Sequence, residues 1–181
     1  ERPVGSKHAD ARRHEQRARG DEHEGQTSQH KCAIIIGTAA FRAFGKLRCV
    51  PLRIAMLASE IAPFSKTGGL ADVTSALAKH LTAAGHEVLT VTPLYGGIDR
   101  EALGLSASTA GVATATLPGS AATVHFIDEP ELYDRSTLYS ADPDEHLRFI
   151  RLTRAAFELC RRLGFAPDIL HCNDWHTAFG P

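Results

Sequence analysis

The sequence predicts an α/β fold built on a parallel sheet, and three observations carry that expectation. The run Ile54 to Ala58 is continuously apolar and has the length of a strand buried on both faces. From Leu70 the apolar spacing turns helical, through Leu70, Val73, Leu77 and Leu81. A second strand-like run, Glu87 to Thr92, is closed by Pro93. Strand, helix and strand within about forty residues form a βαβ unit, for which a right-handed crossover and parallel pairing are expected.

Taken in order, residues 1 to about 30 are rich in Arg, His, Glu, Gln and Gly and nearly devoid of large apolar side chains. Such a segment buries too little surface to offset its ordering entropy, so it is expected to be disordered. Acids and bases are balanced there, which favours a solvated tail over a basic arm. Residues 32 to 49 contain Ala33 to Gly37 and later Gly45-Lys46, a faint suggestion of a phosphate loop. The glycine spacing is too long, and Leu47 stands where Ser or Thr would hold Mg²⁺. A leader segment is an alternative reading, against which the acidic residues upstream count. The chain starts at Glu1 and its only methionine is Met56, so a trimmed or translated fragment is expected.

Regular structure begins at Leu52. The first strand leads through Pro63 and Thr67-Gly68-Gly69 into a helix expected to run to about Ala84, with Gly85 as its C-terminal glycine. Val112 to Leu117 and Thr123 to Ile127 read as strands around a Pro118-Gly119-Ser120 turn. Asp128 to Tyr139 reads as a surface loop held by the neighbourhood of Asp134 and Arg135. Asp142-Pro143-Asp144-Glu145 has capping-box spacing and should open a helix to about Leu163, stopped by Gly164. In that helix Leu147, Ile150, Ala155, Phe157 and Leu159 are expected inward and Arg151, Arg154, Arg161 and Arg162 outward. Ile169 to Cys172 is a last short strand, and Asn173 or Asp174 would cap a helix after it.

The 181 residues bound one domain with a tail, and the 43% hydrophobic content is that of an ordinary globular protein. A net charge of −1 argues against a dedicated nucleic-acid or membrane-surface binder. No apolar run approaches the ~20 residues of a membrane span. Cys32, Cys49, Cys160 and Cys172 form no Cys-x-x-Cys pair, and free thiols are expected. A zinc site around Cys172, His171, Asp174 and His176 would fit no common ligand spacing.

The chemistry centres on Lys66-Thr67-Gly68-Gly69. Two glycines allow close backbone approach, the following helix start offers unpaired N–H groups and a positive dipole end, and Lys66 adds a mobile cation. A phosphate-bearing ligand is the natural partner. Each residue also has a plainer role. Lys66 would be a solvated lysine, Asp72 a complement to the helix dipole, and Glu60 a loop support. Asp174 would be a cap, Trp175 a packing residue and His176 a core histidine.

Ser59-Glu60, Pro63 and Lys66-Thr67-Gly68-Gly69-Leu70-Ala71-Asp72-Val73 closely resemble the N-terminal signature of bacterial glycogen synthases and plant starch synthases. Pro167-Asp168-Ile169-Leu170-His171-Cys172-Asn173-Asp174-Trp175-His176 resembles their second signature, with Asn173 in place of a common His. The loop around Tyr133-Asp134-Arg135, followed by Tyr139, resembles a third family segment. The resemblance covers residues 52–181 and leaves 1–50 outside it. It implies a Rossmann-like parallel sheet, the incomplete N-terminal domain of a two-domain GT-B-type glycosyltransferase with its active site between the domains. It implies retaining transfer of glucose from ADP-glucose, or alternatively UDP-glucose, to the non-reducing end of an α-1,4-glucan, without metal or cofactor. His176 and Asp72 are the implied catalytic residues, and Lys66, Thr67, Gly68, Gly69, Glu60 and Tyr139 the implied substrate-binding ones. The location implied is the cytoplasm of a bacterium or a plastid. The remaining sheet and the second domain are expected beyond Pro181, so the chain alone is expected to be inactive, and a non-catalytic nucleotide-sugar or glucan binder is the alternative. A dinucleotide binder lacks its Gly-x-Gly-x-x-Gly here and a hydrolase its Gly-x-Ser-x-Gly.

Overall fold

The computed structural model describes residues 50–181. The readings of residues 1–49, including Cys32 and Cys49, lie outside the described residues. The elements are β1 (Arg53–Leu57), α1 (Gly69–Ala83), β2 (Glu87–Pro93), β3 (Val112–Thr116), β4 (Thr123–Ile127), α2 (Pro130–Tyr133), α3 (Glu145–Leu163) and β5 (Ile169–Cys172), followed by a 3₁₀ turn (Trp175–Thr177). They form a five-stranded sheet in the order β3-β4-β2-β1-β5. β1 pairs in parallel with β2 and β5, β2 in parallel with β4, and β3 runs antiparallel to β4. Leu57 stands opposite both Val91 and Cys172. The parallel strands therefore finish along one edge, and the loops leaving β1, β2, β4 and β5 gather there.

Burial without alternation marks the central strands. Ile54 to Leu57 and Leu89 to Pro93 are buried throughout, as expected where both faces are covered. Phe64, from the β1–α1 loop, meets Phe126 of β4 edge-on at 4.9 Å between ring centroids. Phe149, Leu152, Ala156 and Leu159 of α3 complete the core.

Both long helices end by the same device. Gly85 at φ 92° and Gly164 at φ 62° take left-handed conformations that favour glycine. After α3, the Phe165 N–H donates to the Cys160 carbonyl at 2.8 Å and the Gly164 N–H to that of Arg161 at 3.2 Å. After α1, the N–H groups of His86 and Gly85 reach Leu81 and Thr82 in the same pattern.

Four expectations are corrected. In α1 the buried residues are Ala71, Thr74, Ser75 and Ala78, while Val73 is 59% exposed. Small side chains let this helix sit close to the sheet, and Leu77 and Leu81 flank the contact. α3 begins at Glu145 rather than at Asp142, and its N-terminal residue makes no side-chain cap. Asp142 and Asp144 are instead taken by the Arg135 guanidinium, which donates to both. Leu147 and Phe157 are exposed, whereas Arg148 is completely buried. The segment after β4 is not a plain loop, since Pro130–Tyr133 forms a helical turn.

Where β2 ends, Gly96 lies under residues 133–134: its N–H donates to the Tyr133 carbonyl at 3.2 Å. A Cβ on Gly96 would overlap the Asp134 carboxylate and stand 3.1 Å from the Asp134 Cα. Gly96→Ala should therefore destabilise the chain by about 1–3 kcal/mol, as overpacking does. Urea unfolding checks this, and an unchanged midpoint would show that the 133–134 segment shifts freely.

Candidate functional site

The β1–α1 loop is wound around one carboxylate. Glu60 is 2% exposed. Its oxygens accept the Thr67 N–H at 2.7 Å, the Thr67 hydroxyl and the Gly68 N–H at 3.4 Å. The loop turns back on itself at Ile61–Ser65, with the Ser65 N–H donating to the Ile61 carbonyl at 3.0 Å. Burial opposes ionisation of Glu60, but the bonds from Thr67, Tyr139 and Gly68 outweigh it and hold the carboxyl below its ordinary range. Gly68 is extended and Gly69 starts α1, which no side chain caps. A Cβ at either glycine would meet nothing within 4 Å. The loop is thus satisfied from inside and open outside.

Lys66 and Asp72 meet each other. The Lys66 ammonium donates to both Asp72 oxygens at 2.8 and 2.7 Å, with each side chain about half exposed. The sequence expectation of a free cation is corrected to a surface ion pair. Such pairs contribute at most about 1 kcal/mol, so this one exchanges readily for a stronger anion.

The other wall comes from residues 128–144, between β4 and α3. The Tyr139 hydroxyl donates to Glu60 at 2.6 Å and shares a hydrogen bond with the Ser59 hydroxyl at 2.8 Å. Burial, and then the donated bond to Glu60, raise the Tyr139 phenol far above its ordinary range. The Tyr95 hydroxyl, from the end of β2, donates to the Ser59 carbonyl at 2.9 Å.

From β5, Asn173 ties back to β1: its side-chain amide and its N–H both donate to the Leu57 carbonyl, at 2.8 and 3.1 Å. Asp174 then takes φ 65° and ψ 177°, a region nearly restricted to glycine, at a cost of about 1–3 kcal/mol. Its carboxylate accepts the Trp175 N–H at 2.6 Å, the capping role expected. The kink delivers His176 between aromatic rings. Tyr139 stacks on it at 4.4 Å, Trp175 lies at 4.0 Å, and Phe149 meets it edge-on at 4.6 Å. His176 is 4% exposed, and its Nδ1 has no hydrogen-bond partner among the described residues. Burial, opposed by Asp174, Glu145 and Glu60, keeps the imidazole below its ordinary titration range. A neutral imidazole has one donor and one acceptor, which suits it to hydroxyl groups.

Glu60, Thr67, Gly68, Tyr139 and His176 therefore form one connected group. Gly69 opens the adjoining helix, and Lys66 and Asp72 stand as a pair at its exposed border. Sequence reasoning missed Ser59, Tyr95, Phe149, Glu145 and Arg148. The spacing of Glu145 and Arg148 on one helical face was the available signal for the last two. Among the described residues no group of three or more His, Cys, Asp or Glu side chains is placed to hold a metal ion. No helix there is long and apolar enough to cross a membrane. Cys160 and Cys172 are free thiols.

The buried histidines set a pH dependence. His125 of β4 is held below its ordinary range by burial, as His176 is. An unfolded histidine binds its proton near pH 6.5 while these two in the folded chain do not, so stability falls as pH drops through that value. Thermal unfolding between pH 7.5 and 5.5 should show the loss, and His176→Gln should flatten the slope. A slope unchanged in that variant would remove His176 from the account.

The family model for the starch synthase catalytic domain matches residues 53–181. Glycogen synthase 1 of Geobacter sulfurreducens is 45% identical over 148 residues, which cover 72% of this chain and 30% of the relative. Glycogen synthase of Anaeromyxobacter dehalogenans is 42% identical over 141 residues, with the same coverage. The structure resembles the catalytic domain of starch synthase IV from Arabidopsis thaliana, solved bound to ADP and acarbose. That match has a TM-score of 0.64 and 32% identity over 72% of this chain and 29% of the other. The chain thus spans about 30% of the length of the curated relatives it matches. With its mixed α/β fold on a mainly parallel sheet, it matches the GT-B catalytic architecture and belongs to the glycogen and starch synthase family of glycosyltransferases.

Proposed function

We propose that this chain supplies the N-terminal wall of the active site in a retaining glucosyltransferase. The reaction extends an α-1,4-glucan at its non-reducing end from a nucleotide sugar, with ADP-glucose favoured over UDP-glucose. The observation that carries the proposal is the convergence, at one edge of a parallel sheet, of the Lys66–Gly69 loop with Tyr139 and His176. Ligands of open α/β sheets bind beyond the carboxyl ends of the strands. The ADP and acarbose bound to the Arabidopsis relative support a nucleotide and a saccharide as the ligand classes.

In this reading Lys66 exchanges Asp72 for the diphosphate of the donor, and the exposed start of α1 at Gly69 faces the same charge. As the glycosidic bond to the diphosphate breaks, negative charge grows on the leaving group, where a preorganised cation and backbone dipoles stabilise it most. His176 holds the transferred glucose by a hydroxyl contact, and Glu60 acts by shaping the loop. Asp72 serves as the resting partner of Lys66. No step requires a metal or cofactor. The cytoplasm is the proposed setting.

The 181 residues assayed by themselves are expected to bind without turnover, since they span about 30% of the length of the relatives. Calorimetry should detect ADP binding to the 181-residue chain, weakened in Lys66→Ala, while glucose transfer to glycogen stays at background. Grafting residues 53–181 in place of the matching segment of the Geobacter sulfurreducens glycogen synthase should give an active transferase. There Lys66→Ala should lower kcat by about 10²–10³, the usual effect of removing one preorganised donor. Gly69→Ala should keep its fold, since the added methyl meets open space, and should lose ADP affinity. Unchanged kcat/KM in the Lys66→Ala chimera would overturn the assigned role.

A further inference from the structure

We infer that Arg148 is a positioning residue for this site: it fixes the backbone around Tyr139 so that the tyrosine lies against His176 and reaches Glu60. The consequence for ligand handling rests on the transferase reading, whereas the positioning itself does not.

Arg148 is completely buried, an unusual fate for a cation and a costly one unless its donors are paired. Its Nε donates to the Leu132 carbonyl at 2.7 Å, and its Nη1 to the Leu138 carbonyl at 3.1 Å and to Glu145 at 2.7 Å. Its own carbonyl accepts the Tyr133 hydroxyl at 2.9 Å. Glu145 in turn accepts the Ser140 N–H at 3.2 Å and the Ser140 hydroxyl at 2.9 Å. Tyr139 therefore sits between two fastenings, Leu138 to Arg148 and Ser140 to Glu145, both on the first turn of α3. The next residue, Phe149, touches the rings that the fastenings bring together.

The chemistry explains why arginine stands here. Its planar fork reaches acceptors in several fixed directions at once, whereas a lysine ammonium is a point charge on a flexible stem. Three aromatic rings, of Tyr95, Tyr133 and Phe149, lie within 5.9 Å of the guanidinium carbon and keep water away. The Nη2 has no partner among the described residues. A cation kept in so dry a place, with its bonds spent on loop carbonyls, sets the shape of that loop.

The test follows the His176 imidazole by proton NMR in the 181-residue chain, with the resonance identified by its loss in His176→Gln. Arg148→Lys keeps the charge, so the direct field on His176 is preserved while the bonds to Leu132 and Leu138 are not. The His176 midpoint should rise by about half a pH unit or more toward the ordinary value near 6.5, as the loosened tyrosine admits water. Tyr139→Ala should raise it too, and Arg148→Lys added to Tyr139→Ala should raise it no further, because a residue acting through another is non-additive with it. An unmoved midpoint in Arg148→Lys, or shifts that add in full, would overturn the inference. If Arg148→Lys does not fold, Glu145→Gln replaces it. Removing that negative charge alone would lower the midpoint, so a rise there supports the loosening and its absence overturns it. ADP binding measured on the same proteins separates the two claims. A chain that never binds ADP counts against the transferase reading and leaves the titration to decide on Arg148.

Discussion

Two loops from distant parts of the chain are built around the Glu60 carboxylate. It is buried, ionised and fully spent on internal donors: Thr67 and Gly68 from its own loop and Tyr139 from the segment between β4 and α3. A buried anion without such partners would cost several kcal/mol, so neither loop can drift without leaving it exposed in a dry site. The glycine loop therefore has a defined shape before any ligand arrives. The same arrangement changes the meaning of the glycine motif. The amides of Thr67 and Gly68 point inward to Glu60, and the outward-facing resources are Lys66 and the start of α1.

The turn after β5 stores backbone strain and is held by hydrogen bonds on both sides of it. Asp174 holds a backbone conformation that glycine adopts freely and aspartate does not. Its carboxylate, bonded to the next N–H, and Asn173, bonded twice to β1, keep it there. The result is a sharp turn that places Trp175 and His176 against Phe149 and Tyr139. Sites that must keep fixed geometry on a strand end commonly accept such a cost, because surrounding contacts over-determine the turn.

Much of this was legible in the sequence, and the illegible part has identifiable causes. The runs Thr123–Ile127 and Ile169–Cys172 form strands with the expected bounds, since short apolar runs between turn residues leave little else to form. Gly85 and Gly164 stop their helices as read, because a left-handed residue is needed there. The start of α3 was misplaced because the capping spacing of Asp142 to Glu145 takes no account of Arg135, which competes for both aspartates and wins with a bidentate pair. Arg148 is hard to read for a related reason: a hydrophobic pattern counts arginine toward the solvent, its spacing from Glu145 is only a faint counter-signal, and tertiary acceptors decide its burial. Lys66, Asp72, Glu60, Tyr139 and His176 could be named from the chain, but not who holds whom. Pairing across 79 residues, as between Tyr139 and Glu60, leaves no local trace.

The contrast between the paired groups gives the site its order of response. Glu60 and Tyr139 are locked in buried bonds. Lys66 and Asp72 are locked in an exposed one, and screening and side-chain entropy make that bond weak. An arriving diphosphate, more highly charged than a single carboxylate and able to accept from several donors, competes with Asp72 for Lys66 without touching the buried network. On the proposed reading the cation moves and the frame does not. Little reorganisation then accompanies binding, which is the condition under which a fixed array of dipoles stabilises a developing charge most effectively.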